Sequence, residues 1–128
     1  MTEKTTILVV EDDPALRQAL QEFLKAHGYV VDVAHDVTQA LIKLWTGRYD
    51  IALTDIVMPG LSGLKLLGLS KNILDVVDFI VITGNDSAEN RLEAMRLGAK
   101  NYFVKPFELQ ELLVAIQEIV KKRRSNAG

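Results

Sequence analysis

Apolar residues along this chain follow two alternating rhythms. Short continuous runs at Thr6 to Val10, Val30 to Ala34, Ile51 to Thr54, Phe79 to Ile82 and Asn101 to Val104 are bounded by polar or glycine-containing turns and read as strands. Between them the spacing changes to three and four. Leu16, Ala19, Leu20, Phe23 and Leu24 make one complete helical face, and Val37, Ala40, Leu41, Leu44 and Trp45 repeat the spacing. A last helix, Glu108 to about Lys122, gathers Leu109, Leu112, Leu113, Ile116, Ile119 and Val120 on one side.

The punctuation agrees with the periodicity. Asp13-Pro14 supplies an N-cap and a first-turn proline for a helix running to His27, which Gly28 ends. Asp36 and Gln39 cap a second helix, Val37 to about Trp45, closed by Gly47. Asp86 and Glu89 form the corresponding pair for a fourth helix carrying Ala88, Leu92 and Met95, with Gly98 as its stop. The third helix, opened by Ser62, is the least regular: Gly68 lies in its middle, and Leu64, Leu66, Leu67 and Leu69 do not share one face. That run reads as core, with a partner surface as the alternative.

Strands alternating with helices of this size imply right-handed crossovers and a parallel sheet covered on both faces. The expected architecture is a single α/β domain of three layers.

Composition narrows the function classes. The 128 residues suit one domain able to bury about two-thirds of its unfolded surface without staples. There is no cysteine, which excludes disulfides, thiolate metal sites and cysteine catalysis and fits a reducing compartment. The amino-terminal apolar run is too short for a secretory signal, and no stretch approaches a membrane span, so the expected location is the cytoplasm. With a net charge of -2 and a pI near 5.7, the chain has no global footprint for nucleic acid or an acidic membrane. Lys121-Lys122-Arg123-Arg124 is the exception. It reads as a solvated helix end opposing the negative pole of the dipole, or as a basic tail, residues 123–128, leading into a second domain.

Parallel strands place their carboxyl ends along one edge, where ligands collect in open α/β sheets. The residues expected there are Glu11-Asp12-Asp13, Asp55, Thr83-Gly84 and Lys105-Pro106. Each has a bland reading: Asp55 as a turn residue before Met58-Pro59-Gly60, the acidic triplet as a solvated helix start, Thr83 as a β-former and Lys105 as a surface lysine. Their coincidence at one edge outweighs those readings. Three adjacent acids beside a fourth carboxylate call for a cation, and hard oxygen donors suit Mg²⁺. A carboxylate attacking a phosphoryl group needs that cation to relieve repulsion, Lys105 to neutralise another phosphoryl oxygen and the Thr83 hydroxyl to bond a third.

The segments LVVEDD, LTDIVMPGLSG, VITG and GAKNYFVKPF, at these separations, closely resemble the receiver domain of two-component response regulators, the chemotaxis regulator among them. The resemblance covers residues 5–122. It implies a flavodoxin-like fold with strand order 2-1-3-4-5 and Asp55 as the acceptor of phosphate from a phosphohistidine on a sensor kinase or phosphotransfer protein. By position, Asp12, Asp55 and the backbone carbonyl of Val57 would hold Mg²⁺, with Glu11 acting through water and Asp13 left as a helix cap. The family further implies that Thr83 moves toward the phosphoryl group and Tyr102 turns into the space it leaves, where the residue alone would read as an ordinary partly exposed strand tyrosine. It also implies a cis peptide before Pro106. The switch would alter the face of helix 4, strand 5 and helix 5, where dimers are common in the family.

Two positions depart from common family patterns. Val57, two after the acceptor, is apolar, and Asn85 lies two after Thr83, so slow self-dephosphorylation is expected. An aspartate-nucleophile phosphatase of the haloacid dehalogenase type would need an acid where Val57 stands. A flavodoxin-type flavin protein would need a loop of free N–H groups after strand one, where Glu11-Asp12-Asp13 would repel phosphate. A pseudo-receiver used only for protein contact is opposed by the presence of every expected chemical residue. The expectation is a switch that assists its own phosphorylation, not an enzyme acting on other substrates, feeding an output domain beyond this chain and not itself touching nucleic acid or membrane.

Overall fold

The computed structural model describes residues 4–58, 60–73 and 76–127, so Pro59 of the expected turn and Gly128 of the expected tail lie outside the described residues. Five strands, β1 (Thr6–Val10), β2 (Val30–Ala34), β3 (Ile51–Thr54), β4 (Asp78–Thr83) and β5 (Asn101–Val104), form one parallel sheet in the order β2-β1-β3-β4-β5. The helices α1 (Pro14–Ala26), α2 (Val37–Thr46), α3 (Gly63–Ile73), α4 (Ala88–Arg96) and α5 (Leu109–Ala127) connect and follow them. The parallel sheet with helices on both sides is what the alternating periods predict, and its flavodoxin-like strand order is the one the family resemblance implies.

Alternation along the central strands divides the core in two. Ile7, Val9, Ile51, Leu53, Ile80 and Ile82 point to the side covered by Leu20 and Leu24 of α1 and by Leu112, Ile116 and Ile119 of α5. Leu8, Val10, Ala52, Phe79 and Val81 point to the other, where Val37, Ala40 and Leu44 of α2, Leu66 and Leu67 of α3 and Ala94 of α4 meet them. Burial on both faces explains why these strands read as continuous apolar runs. Fully burying each such side chain contributes about 1.5–3 kcal/mol.

Several boundaries differ from the sequence reading. Ser87, not Asp86, caps α4: its Oγ accepts the Asn90 N–H at 3.0 Å, while Asp86 is drawn aside to the Arg91 guanidinium at 3.2 Å. Glu89 still falls in the first turn, where its charge favours the positive helix pole. The β4 strand is one residue longer at each end than the apolar run. In α3, Leu66 and Leu67 are core, while Leu64 packs only partly against it, which is why no single stripe was visible. The α5 helix begins at Leu109 and runs on to Ala127, not to about Lys122, so Lys121 to Arg124 lie within it. No glycine or proline interrupts residues 109–127, and Arg123 is tied to the sheet by Asp78 and Asp50 at 2.7 and 3.4 Å.

Other caps match. The Asp13 carboxylate accepts the Ala15 N–H, and Gly28 (φ +92°) takes the left-handed conformation that ends α1. Asp36 Oδ1 accepts the Gln39 N–H at 2.7 Å, and Gln39 reaches back to the His35 N–H at 2.9 Å.

Candidate functional site

The register decides what reaches the carboxyl edge. Pairing of Val10 with Thr54, of Thr54 with Val81 and of Thr83 with Val104 brings the residues after β1 and β3, the end of β4 and the residue after β5 to neighbouring positions. The Asp55 N–H donates to the Val10 carbonyl at 3.3 Å, and the Lys105 N–H to the Thr83 carbonyl at 2.8 Å, carrying the ladders just past the strands.

Four side chains converge there. Lys105 Nζ donates to Glu11 Oε1 at 2.8 Å and to Asp55 Oδ2 at 2.6 Å, linking residues 94 and 50 positions apart in the chain. Glu11 is fully buried and Asp55 nearly so, whereas Asp12 is exposed. Carboxylate oxygens of Glu11, Asp12 and Asp55 lie within 4.8 Å of one another. The remaining valences are held by backbone: Val57 N–H donates to Asp55 Oδ1 at 3.0 Å and Asp13 N–H to Glu11 Oε2 at 3.1 Å.

Burial pushes the Glu11 carboxyl above its usual range, with Asp55 adding to the rise and the hydrogen bonds and charge of Lys105 and Asp13 N–H resisting it. Burial alone would lower the Lys105 ammonium, but the carboxylates of Asp55 and Glu11 bonded to it outweigh that and hold it above the ordinary lysine value. Lys105 therefore stays charged at neutral pH. One ammonium among three carboxylates leaves excess negative charge, open to solvent at Asp12. Hard oxygens with a net negative balance fit a divalent cation of the magnesium type, with Glu11, Asp12 and Asp55 as the donors available.

Thr83 is fully buried at the end of β4, and its Oγ1 accepts the Asn85 N–H at 3.0 Å, so its own proton remains to donate elsewhere. The Lys105–Pro106 peptide is cis. Tyr102 stands apart from the carboxylates. Its ring is half-buried against the α2–α4 side with the Arg91 guanidinium 4.8 Å from the ring centre, and its hydroxyl is buried without a hydrogen bond. Burial, reinforced by the Asp86 carboxylate, pushes that hydroxyl above the normal tyrosine range. The Val57 side chain is 53% exposed beside the site.

Two contributors escaped the sequence reading. Arg17 Nη1, one turn into α1, donates to the Glu11 carbonyl at 2.8 Å and approaches the Asp12 carbonyl at 3.5 Å. In sequence it is indistinguishable from a solvated helix cation. Gly63 stands where a Cβ would run into the backbone of Asp55, and its N–H donates to the Ile56 carbonyl at 3.0 Å. The glycine was visible within LTDIVMPGLSG, but its spatial neighbour was not.

The response regulator receiver domain family matches residues 7–117. Response regulator MprA of Mycobacterium ulcerans (strain Agy99) is 36% identical over 118 residues, a match covering 92% of this chain and 51% of that protein. MprA of Mycobacterium tuberculosis (strain ATCC 25618 / H37Rv) gives the same identity over the same length. The chain therefore spans about half the length of these relatives. Among solved structures, a CheY-like receiver domain protein from Methanospirillum hungatei JF-1 superimposes with a TM-score of 0.94 at 29% identity, covering 97% of this chain and 99% of that one. The response regulator TrrA of Thermotoga maritima, solved in complex with Mg²⁺-BeF, gives a TM-score of 0.82 at 34% identity, covering 90% and 98%.

Proposed function

Because this chain belongs to the response regulator receiver domain family, we propose that residues 5–122 form a phosphoacceptor switch in which Asp55 takes a phosphoryl group from a phosphohistidine. The donor is a sensor histidine kinase or a phosphotransfer protein, and the setting is the cytoplasm; among the described residues, no helix is long and apolar enough to cross a membrane. An oxygen of the Asp55 carboxylate attacks phosphorus, the P–N bond breaks, and the imidazole leaves with the electron pair and takes up a proton.

The chain's own residues prepare that step. Val57 N–H on Oδ1 fixes the carboxylate plane, and Lys105, already on Oδ2, passes to a phosphoryl oxygen as charge develops there. Thr83 turns its free proton toward another phosphoryl oxygen. A magnesium ion held by Asp12, Asp55, the Val57 carbonyl and, through water, Glu11 would supply charge compensation between the two anions. When Thr83 moves, Tyr102 exchanges its unbonded buried hydroxyl position for a deeper one, altering the surface of α4, β5 and α5. That surface passes the state to an output domain, or to a second copy of the chain, and nucleic acid is not contacted by this domain.

The observation that carries this reading is the Lys105 ammonium bridging Glu11 and Asp55, with the Asp12 carboxylate beside them. Incubation with acetyl phosphate and Mg²⁺, followed by intact-protein mass spectrometry, should show one added phosphoryl group. The addition should be abolished by EDTA and by Asp55→Asn. Phosphorylation that persists in Asp55→Asn would refute it.

A further inference from the structure

The opposite end of the sheet carries an open groove of about 720 Å³ between the start of β1, the α1–β2 turn and the last turns of α5. That is within the range of small-ligand sites, roughly 300–1,000 Å³. Its polar lining is one-sided in charge: Lys4, Lys121 and Arg124, with His27, Tyr29 and Ser125 among them and no carboxylate. Two other cations at this end are already paired. Arg123 is paired with Asp50 and Asp78, and Lys100 reaches Asp78. Among the described residues, no carboxylate lies within ion-pair distance of Lys4, Lys121 or Arg124, although Arg124 stands near enough to Tyr29 to oppose the upward push that burial exerts on its hydroxyl.

His27 adds a directional group. Its Nδ1 lies 2.9 Å from the Phe23 carbonyl, so Nδ1 carries the proton there, and the ring is braced against Phe23 at 4.5 Å between centroids. Nε2 has no partner among the described residues. The backbone of the turn is satisfied internally, with Tyr29 N–H on the Leu24 carbonyl and Val30 N–H on the Thr5 carbonyl. The unspent groups are therefore side chains alone.

A bland account is that these cations merely offset the negative poles of α1 and α5. Each pole is worth about half an elementary charge, so two of them neutralise about one of three cations. The excess is positive, concave and edged by the apolar flank of Val120. We propose that this groove binds a phosphate-bearing polyanion, of the class of inorganic tripolyphosphate or a nucleoside triphosphate, at the end of the domain remote from Asp55. Arg124 and Lys121 take the phosphate oxygens, Lys4 closes from β1, and Tyr29 and Ser125 donate hydroxyl protons.

The test is a titration of the ¹⁵N-labelled 128-residue chain in magnesium-free, low-salt buffer with sodium tripolyphosphate and, separately, with ATP. Saturable shifts should centre on the Gly28, Tyr29 and Lys121 amides and the Arg124 side chain. Lys121→Gln with Arg124→Gln should weaken affinity by at least about tenfold, as loss of two charge-assisted contacts requires. Arg48→Gln with Lys65→Gln, cations elsewhere on the surface, should leave it unchanged, as should Asp55→Asn, which separates this result from the phosphoacceptor reading. Tighter binding of ATP would assign the site to nucleotides, and equal binding to inorganic polyphosphate. Shifts confined to the Lys105 edge or spread over all cations would overturn the proposal, as would undiminished affinity in the folded Lys121, Arg124 double variant.

Discussion

Gly63 packs directly on Asp55: a Cβ at Gly63 would overlap the Asp55 carbonyl and come within 2.9 Å of Thr54 Oγ1. The first residue of α3 thus sets the height of the peptide that carries the Asp55 carboxylate. Gly63→Ala must displace one backbone or the other, at a cost of about 1–3 kcal/mol typical of overpacking. Denaturant unfolding should show that loss, and acetyl phosphate labelling should slow because Asp55 moves relative to Lys105. Wild-type stability and rate in this variant would mean the close approach does not exist in solution.

Arg17 acts through the loop and not on phosphate. Its guanidinium holds the Glu11 and Asp12 carbonyls, so it orients two of the three carboxylates without touching their oxygens. Removing supports of this kind weakens metal affinity by about 10–100-fold. Arg17→Ala should weaken Mg²⁺ binding in calorimetry with little change in melting temperature, and Arg17→Lys should restore part of it. Equal loss of stability and affinity would mark Arg17 as merely structural.

Lys105 carries a pH signature of definite sign. Its pKa is raised on folding, so its contribution is fully present below the unfolded lysine value, about 10.4, and fades as pH rises through the higher folded value. Glu11 is also raised, so its contribution is greatest below about 4.3 and declines as pH rises through its folded value. The hydrogen bond and charge of Lys105 oppose that rise and favour the ionised carboxylate of Glu11. Lys105→Met should lose about 3 kcal/mol at pH 7, the lower end for breaking a buried pair. Stability curves should show that deficit shrinking as pH falls toward 5 and protons replace the missing ammonium. A pH-independent deficit would show that packing, not charge, is what Lys105 supplies.

The fold and the carboxylate cluster were legible because they follow from local rules. Continuous apolar runs alternating with period-3.6 patterning imply the layers, and strand ends in a parallel sheet must share an edge, so Glu11, Asp55 and Lys105 are gathered by the sequence alone. Choices between near-equivalent neighbours were less legible. Asp86 and Ser87 are both good N-caps, and only the competing Arg91 decided between them. The cation run is the solvated helix end that its charge suggests, but α5 continues past Lys122 to Ala127, and Asp50 and Asp78, distant in sequence, hold Arg123 in it. The roles of Arg17 and Gly63 depend on carbonyl positions that side-chain patterns do not encode.

Val57 is apolar and half-exposed beside Asp55, and in the proposed phosphoacceptor cycle it stands in the path of a hydrolysing water. The aspartyl phosphate should therefore outlast the scale of seconds, and Val57→Asn, which supplies a group able to hold that water, should shorten its life. Decay of the phosphorylated species, followed by mass spectrometry after removal of the donor, measures both. Wild-type decay within seconds would refute the role given to Val57.

Arg123 and Arg124 are adjacent, alike in charge and expected to behave differently. Arg123 Nη1 donates to Asp78 Oδ2 at 2.7 Å and its Nη2 to Asp50 Oδ1 at 3.4 Å, while Asp50 Oδ2 accepts the Thr6 N–H at 2.9 Å. One side chain thereby ties the last turns of α5 to the starts of β1, β3 and β4. The pair is only partly buried, so Arg123→Gln should cost no more than about 1 kcal/mol. The loss should be local: hydrogen exchange should quicken from about Val120 onward, where few apolar contacts remain to hold the helix. Arg124→Gln, with no ion-paired carboxylate among the described residues, should leave both stability and exchange as they are. If the two variants fray α5 equally, the helix end is held by its dipole and not by the aspartates beneath it.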